Sequence, residues 1–167
     1  MNYAAPINLI DQFGAEEIAQ RADRGTPRLV TAEMLAVAAA GGGLVDYTPE
    51  EQAATLAALE VVNARLLDAE SVINGYLATR YTVPLAAVPR LVTMIACDLA
   101  RYALYDDIVP TTVADRNKNA IKQLEAIAKG LISLGVDTSG NRPAANDAAQ
   151  ISSVTPAFRR TETGGFI

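Results

Sequence analysis

The chain has no histidine and a single cysteine, Cys97, among its 167 residues. Those two shortages remove most metal-binding sets and most nucleophile–base pairs, leaving carboxylates, tyrosines and one thiol as available chemistry. A lone cysteine forms no disulfide within the chain, which fits a reducing compartment. Placed inside a helical pattern, Cys97 reads as a small buried hydrophobe. An excess of positive charge is also missing: 14 Lys and Arg stand against 19 Asp and Glu, a net charge of −5. That balance argues against a nucleic-acid binder with a basic face. It suits a solvated surface, or a wall past which a polyanion slides without sticking. No basic segment followed by an apolar run opens the chain, so no signal peptide is expected. The longest apolar-looking stretch, residues 29–45, is broken by Thr31, Glu33 and three glycines and is too interrupted to span a bilayer. The expectation is a soluble, cytoplasmic product.

Half of the residues are apolar, many of them alanine, and only 5% are aromatic. Alanine-rich sequence with few β-branched clusters favours helix over sheet, and the length suits about one domain. The organising stretch is 48–105. Thr48-Pro-Glu-Glu51 is a strong helix start, with threonine as N-cap, proline at the first position and glutamate closing a capping box. Leu56, Leu59, Val62, Leu66, Ala69, Ile73 and Leu77 then step by threes and fours in one apolar stripe. About thirty residues at 1.5 Å each give a helix of about 45 Å, longer than most globular helices and suited to a multi-subunit setting. Gly75, near its end, is expected to admit a neighbouring backbone. Val83-Pro84 and Val88-Pro89 bracket a turn, because the residue before each proline is pushed out of the helical region. A second helix begins at Pro89 with Leu91, Ile95, Leu99 and Tyr102 on one side and Val92, Ala96 and Ala103 beside them.

The flanks are read as covers and appendages. Ile7, Leu9, Ile10, Phe13, Ile18 and Ala19 make two short helical pieces interrupted at Gly14, with Glu16 and Glu17 in the favoured first turn of the second. Residues 27–47 form either an extra helix started by Thr31 or a loop hinged on Gly41-Gly-Gly43. Thr111 or Thr112 caps a third major helix that buries Val113, Ala120, Ile121, Leu124, Ile127 and Ala128 and stops at Gly130. After Val136 the periodicity ends. The expected division is a helical domain over 1–136 and an extended C-terminal docking arm over 137–167, tipped by Phe158, Phe166 and Ile167. The fold class is mainly α: a helical bundle built on a long helical hairpin.

Catalytic readings are weak throughout. Asp106-Asp107 and Glu50-Glu51 are sequence neighbours whose side chains diverge on a helix, and the glycine triplet lacks the strand and lysine of a phosphate loop. Asp68, Arg80, Asp98 and Arg101 form the one charged set near the hairpin. Asp98 and Arg101 stand three apart, and a buried cross-helix pair between Asp68 and Arg101 is expected to fix register rather than to catalyse. Tyr76, Tyr81, Tyr102 and Tyr105 cluster around the turn, as core residues or as a ligand platform. Phe158-Arg159-Arg160 is either a solvated tail or an anchor in a neighbouring subunit. No enzyme, metal or cofactor is expected.

The run Asp68-Ala through Asn74-Gly-Tyr-Leu77, then Arg80-Tyr81 and Pro84-Leu85, resembles the Mu-like phage head–tail connector family. Ile95-Ala-Cys-Asp-Leu-Ala-Arg-Tyr102, the stretch from Arg116 to Lys129-Gly130, and the ending Pro156-Ala-Phe158 with Gly165-Phe166 continue the likeness. It covers about four fifths of the chain and departs at residues 27–47, where the family has a shorter connection. The resemblance implies a helical adaptor in the virion neck, assembled in the host cytoplasm. It implies a homo-oligomeric ring, usually of twelve copies, below the portal protein. Such a ring extends the DNA channel, presents a surface to the next neck or tail-completion protein and touches no membrane. Phe158, Arg159, Arg160, Phe166 and Ile167 would meet the portal or a neighbouring subunit. From the residues alone, a small acidic helical regulator or inhibitor acting on a host target is the rival.

Overall fold

A computed structural model of the chain describes residues 3–106 and 108–136. Within them lie six α-helices and no strand: α1 (Pro6–Phe13), α2 (Ala15–Ala22), α3 (Ala32–Ala39), α4 (Pro49–Leu77), α5 (Arg90–Ala103) and α6 (Thr111–Ala128). The expected docking arm lies outside the described residues. Among the described residues no helix is long and apolar enough to cross a membrane.

The axis is α4, 29 residues and about 43 Å long. Its start is the expected capping box: the Thr48 hydroxyl accepts from the Glu51 amide, and the Glu51 carboxylate accepts from the Thr48 amide at 2.9 Å. The buried stripe is Thr55, Ala58, Val62, Leu66, Ala69, Ile73 and Leu77. Expectation and structure agree from Val62 onward and differ at the start. Leu56 is 54% exposed and Leu59 half-buried, while Thr55 points inward. A polar residue is tolerated there because the Thr55 hydroxyl donates to the Glu51 carbonyl at 2.8 Å, within its own helix.

The polypeptide returns through residues 78–89, where the Val83–Pro84 peptide is cis, and α5 packs against α4. Pro89 serves as N-cap and the helix starts one residue later than expected. Val92, Ile95, Ala96, Cys97, Leu99 and Ala100 are buried, whereas Tyr102, expected on the inner side, is 39% exposed. α6 closes a three-helix unit with Val113, Ala120, Leu124 and Ile127 inward; Ile121 and Ala128 are only partly covered.

α1 and α2 lie across this unit as a lid. Gly14, at φ +90°, ends one helix and begins the other, a conformation that a side chain would strain. Leu9 and Ile18 are fully buried in the main core. Residues 27–47 are the extra helix rather than a loop: Thr31 caps α3 by accepting from the Met34 amide at 3.2 Å. Met34, Ala38 and Leu44 build a second small core with Val37, Tyr47 and Leu59 against the N-terminal part of α4.

Candidate interaction surfaces

Among the described residues no group of three potential metal ligands comes together. Polar chemistry is spent on joining elements, and the joints are best read one at a time.

The strongest fastens the lid to α5. Arg101 donates from Nε and Nη2 to the two carboxylate oxygens of Glu17, each at 2.7 Å, and the Tyr105 hydroxyl donates to Glu17 Oε1 at 2.8 Å. The Arg101 guanidinium lies 4.3 Å from the centre of the Phe13 ring, and that of Arg21 lies 4.2 Å from the Tyr105 ring. Burial pushes the Glu17 carboxyl up, but the bonds from Arg101 and Tyr105 and the charges of Arg101 and Arg21 outweigh it and hold it below the ordinary carboxylate value.

This joint corrects the expected Asp68–Arg101 pair. Asp68 is exposed and bonds Arg65 on its own helix at 2.8 Å. A carboxylate from another element outcompetes it because α2 lays Glu17 directly against Arg101. Asp98 pairs not with Arg101 but with Arg116 of α6, at 3.7 Å. That is too long for a good hydrogen bond, and Asp98 Oδ1 is covered with no hydrogen-bond partner among the described residues. Burial therefore wins over the charges of Arg116 and Arg101, and its pKa is raised.

Two joints serve the turn after α4. The Tyr3 hydroxyl donates to Asn74 Oδ1 and accepts from the buried Leu85 amide at 3.1 Å. Tyr81 is buried and its hydroxyl accepts from the Leu134 amide at 3.3 Å. The tyrosines are thus dispersed: Tyr76 packs on the core, Tyr81 holds the segment after α6, Tyr105 holds the lid, and Tyr102 faces out. They form no platform. Arg80 reaches the C-terminus of α6, donating to the Ile127 carbonyl at 3.4 Å, where a cation meets the negative end of the helix dipole. Gly130, at φ +80°, leaves room for that guanidinium. Pro84 is exposed on the turn. Gly75 admits no neighbouring backbone within the chain; nothing lies within 4 Å of where a Cβ would be, so this expectation fails among the described residues.

A third kind of joint was not foreseen. Asp23, buried after α2, accepts from the amides of Gly25, Leu29 and Val30 at 2.8, 2.8 and 3.0 Å. Burial raises its pKa, and these three bonds with the charge of Arg28 lower it further than burial lifts it. Glu17 had a sequence signal that went unused: Arg101 and Tyr105, one turn apart at the end of α5, call for one acid from another element. Tyr3 had none, since its partners, the Asn74 side chain and the Leu85 amide, lie far along the chain. Asp23 had a local one, because an aspartate two residues before a glycine favours a turn closed by its own carboxylate. Phe158, Arg159, Arg160, Phe166 and Ile167 lie outside the described residues.

What remains on the surface is apolar in unexpected places. Leu56, Leu67 and Val72 of α4 are exposed, as are Val45, Met94, Ile108 and Leu131. A long helix buried along one stripe and still apolar elsewhere has a face for another protein surface.

Set beside known proteins, this chain of helices joined by side-chain bolts is a Mu-like phage protein. Residues 3–153 match the family described as "Bacteriophage Mu, Gp36". One relative, "Mu-like prophage FluMu protein gp36" of Haemophilus influenzae, is 31% identical over 106 residues, 64% of this chain and 75% of its own length. Another, "Gene product J" of Escherichia phage Mu, is 30% identical over 105 residues, 62% of this chain and 74% of its own length. The chain belongs to the Bacteriophage Mu Gp36 family.

Proposed function

We propose that this protein is a head–tail connector, an adaptor that forms a ring below the portal, extends the DNA channel and joins the capsid to the neck or tail. The observation that carries this reading is α4: a helix of 29 residues in a phage protein, with Leu56, Leu67 and Val72 exposed along it. Neighbouring copies in a ring would cover apolar surface of this kind. The role is structural, and no catalytic step is assigned. DNA would pass through the lumen without sequence-specific binding, favoured by the net charge of −5. Phe158, Arg159, Arg160, Phe166 and Ile167 would dock on the portal or a neighbouring copy, residue types that dominate interface energies.

The test is electron microscopy of the protein mixed with DNA-filled, tailless capsids of its own phage. The expected result is a ring of added density at the portal vertex. Truncation after Asn146 should leave a folded chain that no longer joins capsids. Absence of binding by folded full-length protein would overturn the connector and favour a small acidic regulator.

A further inference from the structure

The charges of this chain are segregated along α4. Residues 29–64 carry Glu33, Asp46, Glu50, Glu51 and Glu60 and no Lys or Arg. Residues 116–136 carry Arg116, Lys118, Lys122 and Lys129 against the single acid Glu125. All three lysines of the chain lie in this second stretch, exposed on the outer side of α6. The acidic stretch surrounds the N-terminal half of α4. The basic stretch ends beside Arg80, just past the C-terminal end of α4, because Arg80 holds the end of α6. Asp46 precedes and Arg80 follows α4, whose axis is about 43 Å long.

Each end also carries apolar surface of matching form. At the acidic end, Ala38, Gly41, Gly42, Leu44, Gln52 and Leu56 line an open groove of 250 Å³ between α3 and α4. Val45 stands at its edge, 85% exposed. Glu60, one turn beyond Leu56, shares that face of α4. At the basic end Leu131 projects, 79% exposed, immediately after Lys129-Gly130. Within one chain the leucine cannot reach the groove.

We infer that the groove receives Leu131 of a second copy of this chain, with Lys122 and Lys129 of that copy set against the acidic rim around Asp46 and Glu60. The contact is heterologous: one end of a copy meets the opposite end of the next. It closes into a ring when the rotation between copies permits, which two like faces meeting would not allow. Like ends repel, since one stretch carries acids alone and the other mostly bases, so orientation is selected as well as affinity. The inference rests on the ring reading above and specifies how its copies meet.

The experiment mixes two full-length variants, Leu56→Cys and Leu131→Cys, free at high concentration and after assembly on capsids, with a short bismaleimide. Both positions are exposed, so folding is undisturbed. Cys97 stays silent because it is fully buried and its thiol is pushed up to about 12. The expected result is a cross-linked dimer in the mixture and not with either variant alone. The yield should fall about tenfold when Lys122→Glu and Lys129→Glu are added, the equivalent of about 1.4 kcal/mol. It should recover when the partner carries Asp46→Lys and Glu60→Lys. Salt at about 1 M, where the Debye length is about 3 Å, should weaken it similarly. A ring at the portal vertex without this cross-link overturns the contact and leaves the connector standing. Neither ring nor cross-link overturns both. Equal yield in either variant alone overturns the head-to-tail geometry.

Discussion

Replacing Arg101 by alanine should loosen the lid, and the size of the loss can be worked from the joint. Arg101 and Glu17 side chains are 15% and 27% exposed, so solvent screens them only in part. An exposed pair is worth about 0.2–1 kcal/mol, whereas removing one partner of a fully buried pair costs about 3–5 kcal/mol. With two bonds at 2.7 Å and a Phe13 stacking contact worth about 0.5–1 kcal/mol, Arg101→Ala should cost about 2–4 kcal/mol. Glu17→Gln, which keeps volume and removes charge, should cost about 1–2 kcal/mol. Urea unfolding followed by far-ultraviolet circular dichroism gives both values, provided the slope of the transition is unchanged. For a domain of this size the arginine variant should melt roughly 6–10 °C lower. The double variant is decisive: its cost should fall short of the sum by about 1–2 kcal/mol. Strict additivity, within about 0.5 kcal/mol, would mean that Leu9 and Ile18 hold the lid unaided and that the pair is ornamental.

Tyr3→Phe should cost about 1–3 kcal/mol, since it strands the buried Leu85 amide, and hydrogen exchange at that amide should accelerate. Gly130→Ala should destabilise by about 1 kcal/mol from its positive φ, and by more where its Cβ would meet Arg80 Nη1 at 2.7 Å. Adding Arg80→Ala should remove the second part and leave the first, as read from melting temperatures. The pH dependence has a sign that can be worked out. Glu17 and Asp23 bind protons less readily when folded, so they contribute stability above the ordinary carboxyl value of about 4, and that stability is lost as pH falls through their folded values. Asp98 has the opposite sign: its raised value makes the charged form a cost that appears as pH rises. Asp23→Asn should therefore flatten the acid limb of a stability–pH curve. Asp98→Asn should leave that limb in place and unfold no more easily at pH 7; a loss there would refute the assignment.

How much of this was legible beforehand depends on the range of the cause. Thr48, Pro49 and Glu51 specify the start of α4 within four residues, and Gly14 and Thr31 mark boundaries just as locally. The threefold and fourfold spacing of Val62 through Leu77 reports a buried stripe because one long neighbour covers it. The first turns of α4 escaped the same reading. There the neighbour is α3, whose approach turns Thr55 inward and Leu56 outward, and nothing in spacing alone distinguishes those choices. Charged partners were the least legible. Asp68 and Arg101 are well spaced for a cross-helix pair, but the lid brings Glu17 nearer, and only the tertiary arrangement decides which acid an arginine takes.

The length mismatch among the helices explains why residues 27–47 exist in the form they do. α5 and α6 are 14 and 18 residues long, about 21 and 27 Å, and cannot cover the 43 Å or so of α4. The N-terminal turns of α4 would project with Leu59 and the Thr55 side wet. α3 supplies Met34, Ala38 and Leu44 to that end and dries it with a second core. Its own length, 8 residues, is too short to cover Leu56 as well. The glycines at 41–43 then carry the chain back over the end of α3 and leave the groove open. The segment that departs from the resemblance thus does two things at once: it stabilises the projecting end of the long helix, and it shapes an acid-rimmed apolar recess. A loop without α3 would do neither, so deleting α3 should expose the N-terminal half of α4 to amide exchange while the Val62–Leu77 half stays protected.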